Sequence, residues 1–154
     1  KVINVQPNFF EVIKNFSTSA YGEIYKLSLI MFIDNPITGI GINNFKYLCN
    51  SNELYKNIML NYNCASHHHN IYIQWLTEGG LIVLFSFILY LFLFVKFIIN
   101  NTGEKKYKII SLVILLSMFW PIMSTGSLIK NWYGITTFYI IGMCICLSKF
   151  KKNY

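Results

Sequence analysis

The chain has 154 residues, of which 55% are hydrophobic and only 12% charged, with a net charge of +7. A soluble domain carries charge on about a quarter of its residues, so this composition excludes an ordinary soluble domain and points to a membrane chain. The basic balance does not point to nucleic acid, because the lysines sit in short loops beside apolar runs and form no stripe.

The opening stretch, "KVINVQPNFFEVIKNF", begins on Lys1 and lacks the basic, apolar and small-residue order of a signal peptide. The chain is therefore expected to be the C-terminal part of a longer protein. Phe9, Val12, Ile13 and Phe16 recur at helical spacing and predict a short amphipathic helix at a membrane interface. A second helix is predicted from Ala20 to Ile33. Ser19 can cap it, Glu23 suits the positive end of its dipole, and Pro36 forbids continuation beyond Asn35. At about 20 Å it is too short to span a bilayer. "NPITGIGINNF" follows, where Gly39 and Gly41 offer backbone that can approach a ligand closely, or simply turn the chain.

Cys49 and Cys64 fall in the segment that the lysine pattern places outside the cell. An oxidising exterior favours a disulfide between them, and closing a loop of about 15 residues stabilises by about 3 kcal/mol. Cys64 opens "CASHHHNIYIQWLTEGG". Consecutive helical residues diverge by about 100°, and an extended strand brings only His67 and His69 to one face. Zinc needs three or four converging ligands, no HExxH is present, and Glu78 is expected on the far side of a continuous helix. A metal site is therefore not expected. Solvated loop residues without a role are the plain alternative for the triplet.

"GLIVLFSFILYLFLFVKFII", Gly80 to Ile99, has the roughly 20 apolar residues of a spanning helix, with Lys96 near one end. Two further apolar runs follow, Ile109 to Met123 and Tyr133 to Leu147. Each is about 15 residues, so crossing needs help from flanking residues or a thinned bilayer; a single re-entrant hairpin is the alternative. Cys144 and Cys146 lie in the last run on different faces. All the basic residues are lysines, and residues 1–78 carry as many acids as lysines. From Gly79 onward only Glu104 opposes Lys96, Lys105, Lys106, Lys108, Lys130, Lys149, Lys151 and Lys152. The positive-inside rule puts the loop 100–108 and the tail 148–154 in the cytoplasm. Residues 1–78 and the turn around Lys130 are then extracytoplasmic. The fold class expected is all-α: a polytopic membrane protein fragment with an extracytoplasmic helical segment, 1–78, and about three transmembrane helices within 79–154.

The order of these elements resembles the bacterial O-antigen ligase and polymerase family. "NPITGIGINNF", the run Cys64-Ala65-Ser66-His67-His68-His69-Asn70, the helix end Glu78-Gly79-Gly80, the "STGS" segment and Asn131-Trp132 carry the resemblance, over roughly Ser19 to Gly142. A family motif places a histidine before Asn, Ser or Gln, then nine residues, Gly, two residues and a small residue. His69, Asn70 and Gly80 fit it, and Val83 departs from it. The family often has an arginine before the Asn-Pro turn, where this chain has Tyr21; it has no arginine at all. A diphosphate contact then falls to the part of the protein before Lys1 or to lysine, with Lys26 and Lys46 the nearest candidates. Lysine acts as a point charge where arginine grips with a planar fork.

The resemblance implies transfer of a glycan from a polyprenyl diphosphate carrier to a sugar hydroxyl, on lipid A core or a similar acceptor. It places the enzyme in the bacterial inner membrane, active site facing the periplasm, without cofactor or metal, in the biosynthesis of cell-envelope lipopolysaccharide. Donor, saccharide or lipid-linked acceptor, and membrane lipid are the expected partners. His69 is expected to act as general base or diphosphate donor, Asn70 to orient substrate and His67 to assist, while His68 is expected to point away and do little. A polymerase of the same family uses a similar donor. A transporter or scaffold would use the triplet to line a path or cap a helix, but the charges after Gly80 sit at loop edges rather than inside spans.

Overall fold

The computed structural model describes residues 14–59 and 62–149. The helix expected around Phe9, Val12 and Ile13 lies outside these residues, as do the tail lysines Lys151 and Lys152; Phe16 opens a 3-10 turn, Phe16–Thr18. The described residues are all-helical, with no strand. Six α-helices follow the turn: α1 Ala20–Asp34, α2 Phe45–Ser51, α3 Glu53–Lys56, α4 Ile71–Asn101, α5 Lys105–Met118 and α6 Asn131–Lys149.

α1 starts where its cap predicts. Ser19 Oγ accepts the Gly22 N–H at 3.1 Å, and Asn35 closes the last turn onto the Phe32 carbonyl just before Pro36. Ile24, Leu27, Ser28 and Met31 form its buried face at helical spacing. The apolar members pack with Phe45, Cys49 and Met59 into a small core. Cys49 and Cys64 are bridged, with their Cα atoms 5.9 Å apart, so the chain entering the histidine triplet is fastened to α2. Tyr55 Oη donates to Asp34 Oδ2 at 2.5 Å and ties α3 to the end of α1. That bond and burial push the Tyr55 phenol up to about 12.

α4 is one helix in hydrogen bonding but broken in direction at Gly80, where φ is 65° and ψ is −164°. The loop from Pro36 to Gly41 seals the break by exchanging backbone hydrogen bonds in both directions. Ile40 and Gly41 N–H donate to the Thr77 and Glu78 carbonyls, each at 3.0 Å; Leu81 N–H donates to Pro36 O at 2.9 Å and Ile82 N–H to Ile37 O at 3.4 Å. A Cβ on Gly39 would stand 2.4 Å from the Glu78 carbonyl carbon, and one on Gly80 2.3 Å from Ile37 O. The close approach that Gly39 permits is therefore to the backbone of α4 rather than to a ligand.

Beyond Gly80 the helix is apolar on all sides, and only 11% of its most apolar window is buried inside the protein. A core helix of a soluble protein would be mostly buried; this one turns its side chains outward, as a membrane span does. By length and composition α4 is the one described helix able to cross a membrane, against about three expected. α5 is 14 residues, about 21 Å, because it stops at Met118 instead of running to Met123. Pro121 bars the preceding residue from the α region. α5 and α6 pack on α4 through Phe94, Ile98, Leu115, Phe119, Ile141 and Cys144. Cys146, on another face of α6, is exposed.

Candidate functional site

The triplet is shaped by two local features. His69 has φ of 55°, a left-handed conformation uncommon outside glycine, though Asn, Asp and His adopt it more often than other residues. Asn70 then caps α4, its Oδ1 accepting the N–H groups of Tyr72 at 3.0 Å and Ile73 at 3.1 Å. Asn70 Nδ2 donates to the Pro121 carbonyl at 2.7 Å. The side chain expected to orient a substrate is thus buried and spent on fixing the start of α4 and the chain beyond α5.

The left-handed turn separates the three histidines. His67 and His69 come together, ring centroids 4.1 Å apart, on a half-exposed face. His68 goes the other way and is completely buried, its ring 4.1 Å from that of Phe45 and its Nδ1 4.0 Å from Glu78 Oε1. One expectation is corrected here: His68 is not an exposed bystander. Glu78 does lie away from His69, but against His68. Helix α4 begins at Ile71, so Glu78 lies two turns on and returns to the same face, where His68 meets it.

Glu78 belongs to a buried polar cluster. Gln74, one turn earlier, donates Nε2 to Glu78 Oε2 at 3.1 Å and to Ser127 Oγ at 2.7 Å. The backbone of Asn43, itself left-handed, bonds to the Glu78 carboxylate. Thr77 Oγ1 donates to the Ser28 carbonyl at 3.2 Å and joins α4 to α1. "STGS" docks on the triplet, with Thr125 N–H donating to the His69 carbonyl at 2.8 Å. The same segment carries Lys130 back over the site, where its Nζ donates to the Ser66 carbonyl at 3.1 Å.

The half-exposed face therefore holds His67, His69 and Lys130, flanked by Tyr21 and Ser124. Tyr21 stands edge-on to His69 with centroids 5.3 Å apart, and its hydroxyl lies 3.5 Å from Ser124 Oγ. Ser66 Oγ is 2.9 Å from His67 Nδ1. Burial, then the Lys130 charge, holds His69 below the ordinary histidine value; burial, then His69 and Lys130, lowers His67. Burial dominates at His68 and drives it down to about 3, with smaller contributions from His67 and His69. His67 and His69 are thus neutral imidazoles at neutral pH, able to accept a proton. Among the described residues, no group of three or more His, Cys, Asp or Glu could hold a metal ion.

Lys26 and Lys46 are exposed on α1 and α2, and the cation acting on the histidines is Lys130 instead. Lys130 and His68 are the residues that sequence reasoning missed. For Lys130 a signal was present: it is the lone lysine after Gly79 lying outside the two clusters assigned to the cytoplasm. For His68 there was none, since its burial depends on a backbone turn at His69.

Residues 4–88, more than half of the chain, match the family model described as O-antigen ligase. None of the curated proteins matches the chain, and none of the solved structures does.

Proposed function

The chain belongs to the O-antigen ligase family, and from that premise we propose that it moves a glycan from a polyprenyl diphosphate carrier to a sugar hydroxyl. The family is membrane-associated and glycosyltransferase-like. The finer reading is an O-antigen ligase-like enzyme of the bacterial inner membrane, with its site on the periplasmic face. On this reading α5 and α6 cross beside α4, and the loop 100–108 is cytoplasmic.

One observation carries the proposal: His69, neutral and half-exposed, has a strained left-handed backbone, pinned by the Thr125 N–H donating to its carbonyl and by Asn70 capping the helix that follows. Such strain persists where the surroundings over-determine it, and active sites are where it collects. The acceptor hydroxyl attacks the anomeric carbon as the bond from that carbon to the diphosphate oxygen breaks. The bonding pair leaves with the diphosphate on its carrier, and the hydroxyl proton passes to His69. A diphosphate is already a good leaving group, so the protein's tasks are to place the hydroxyl and accept its proton. Asn70 serves by fixing His69 on α4, and His67 buttresses its ring.

His69→Ala in the full-length protein is expected to cut transfer of labelled glycan from lipid carrier to acceptor by about 10²- to 10⁴-fold, with membrane levels unchanged. Near-normal transfer would sink the catalytic reading. Transfer that EDTA abolishes, with matching losses in His67→Ala, would assign the pair to a metal instead.

A further inference from the structure

Resting on that reading, we propose that the Lys130 ammonium holds the leaving diphosphate of the donor beside His69. A departing diphosphate gains negative charge as the anomeric bond breaks, so a fixed cation nearby is worth more in the transition state than in the ground state. Lys130 is placed for this by two ties, the second of them anchored in turn. Its Nζ donates to the Ser66 carbonyl, one residue before the histidines. Its own turn is closed by Lys130 N–H donating to the Ser127 carbonyl at 3.1 Å. Ser127 is in turn pinned by Gln74 within the buried cluster. An ammonium has three donors and Ser66 takes one, which leaves two for phosphate oxygens.

The surrounding charges favour an anion here. His67 and His69 are neutral at working pH, and Tyr21 and Ser124 present hydroxyl groups that donate to phosphate oxygens. Lys130 acts on the acid Glu78. That acid is buried beneath the site, with Gln74 and the Asn43 backbone bonded to its carboxylate. The ammonium itself is exposed, open to a ligand arriving from the aqueous side. Lysine suits this task as a point charge that can follow the diphosphate as it moves off.

The test uses full-length protein in native membranes, with inorganic pyrophosphate as competitor. Lys130→Ala is expected to weaken inhibition by pyrophosphate and to lower kcat/KM for the donor by about 10- to 100-fold, chiefly through kcat, with the acceptor KM unchanged. Lys130→Arg should recover most of both and Lys130→Gln little of either, whereas a lysine acting only as a donor to Ser66 would be replaced by both. The pH-rate profile gives a second readout. Burial is the larger cause holding His69 down and the Lys130 charge the smaller, so losing the cation should move the acid limb of transfer part of the way to higher pH in Lys130→Ala. Unchanged pyrophosphate inhibition and donor kcat/KM in Lys130→Ala, while His69→Ala is inactive, would overturn this inference and leave the proposed function standing. If His69→Ala also transfers normally, the functional reading itself fails.

Discussion

The two parts of α4 on either side of Gly80 obey opposite rules. Residues 71–79 bury Gln74, Thr77 and Glu78, whereas residues 81–101 turn Ile82, Phe85, Phe92 and Leu93 outward. Before the break, Gln74, Thr77 and Glu78 bond to Ser127, Ser28, the Asn43 backbone and one another. After it, the backbone satisfies itself and the side chains need no partner but lipid. One helix thus joins a protein-filled site to a membrane, and the junction falls where a loop supplies the hydrogen bonds that a bent helix lacks. A rigid helix end is what a site needs to hold His69 to sub-ångström tolerance.

The sharpest way to break this comparison is Gly80→Ala. The backbone at φ 65°, ψ −164° belongs to a region open essentially to glycine, and the new Cβ would meet Ile37 O at 2.3 Å. The seal must part or the helix must straighten, with a loss of about 3 kcal/mol or more. Thermal unfolding in detergent and the yield of folded protein in membranes would measure it. Gly142→Ala is the control, since nothing lies within 4 Å of its Cβ position; it should change stability by no more than about 0.5 kcal/mol. Equal behaviour of the two variants would mean the seal does not depend on close backbone approach.

A smaller effect probes the buried side through pH. His68 is fully buried and titrates only near pH 3 in the folded chain, against 6.5 for a free histidine. Between those values the unfolded state binds the extra proton, so this contribution to stability is whole above pH 6.5 and declines as pH falls toward 3. The loss at pH 5 is about 2 kcal/mol. Glu78 faces the same ring, His67 and His69 act on it through charge, and all three titrate in their own right. The measured quantity is therefore the difference between wild type and His68→Phe. His68→Phe should flatten the decline between pH 6.5 and 5, and an identical slope in both proteins would assign the acid sensitivity elsewhere.

How far each part of α4 was legible follows from what kind of information fixes it. The apolar run from Gly80 is recognisable because membrane partition depends on local composition alone. The ends of α1 are equally local, set by Ser19 and Pro36. Pro121 carried a local signal too, and reading apolarity through it placed the end of α5 five residues late. The buried cluster is different in kind. His68 meets Glu78 because of a left-handed His69, and Ser127 meets Gln74 across 53 residues of chain. No periodicity encodes those meetings. Lys130 reaches Ser66 over a separation of 64, so sequence analysis could assign it a side of a membrane without showing what it touches.

The smallest expected effect lies on the apolar side, in Phe85→Leu. Phe85 is 64% exposed and sits one turn after Leu81, on the helix surface that faces away from α5 and α6. In water, truncating an exposed aromatic changes little; in lipid the change is smaller still, because tails and side chain are equally apolar and no hydrophobic driving force is at stake. Leucine also has slightly better helix propensity than phenylalanine. The two terms together predict a change within about 0.5 kcal/mol in unfolding and no change in glycan transfer. The comparison with Gly80→Ala then spans five residues of one helix and a several-fold difference in cost. A loss above about 1 kcal/mol at Phe85 would mean that the ring packs against protein in the full-length molecule. The outward half of α4 would then be an interface for other helices rather than a surface for lipid, and the two halves would share one rule after all.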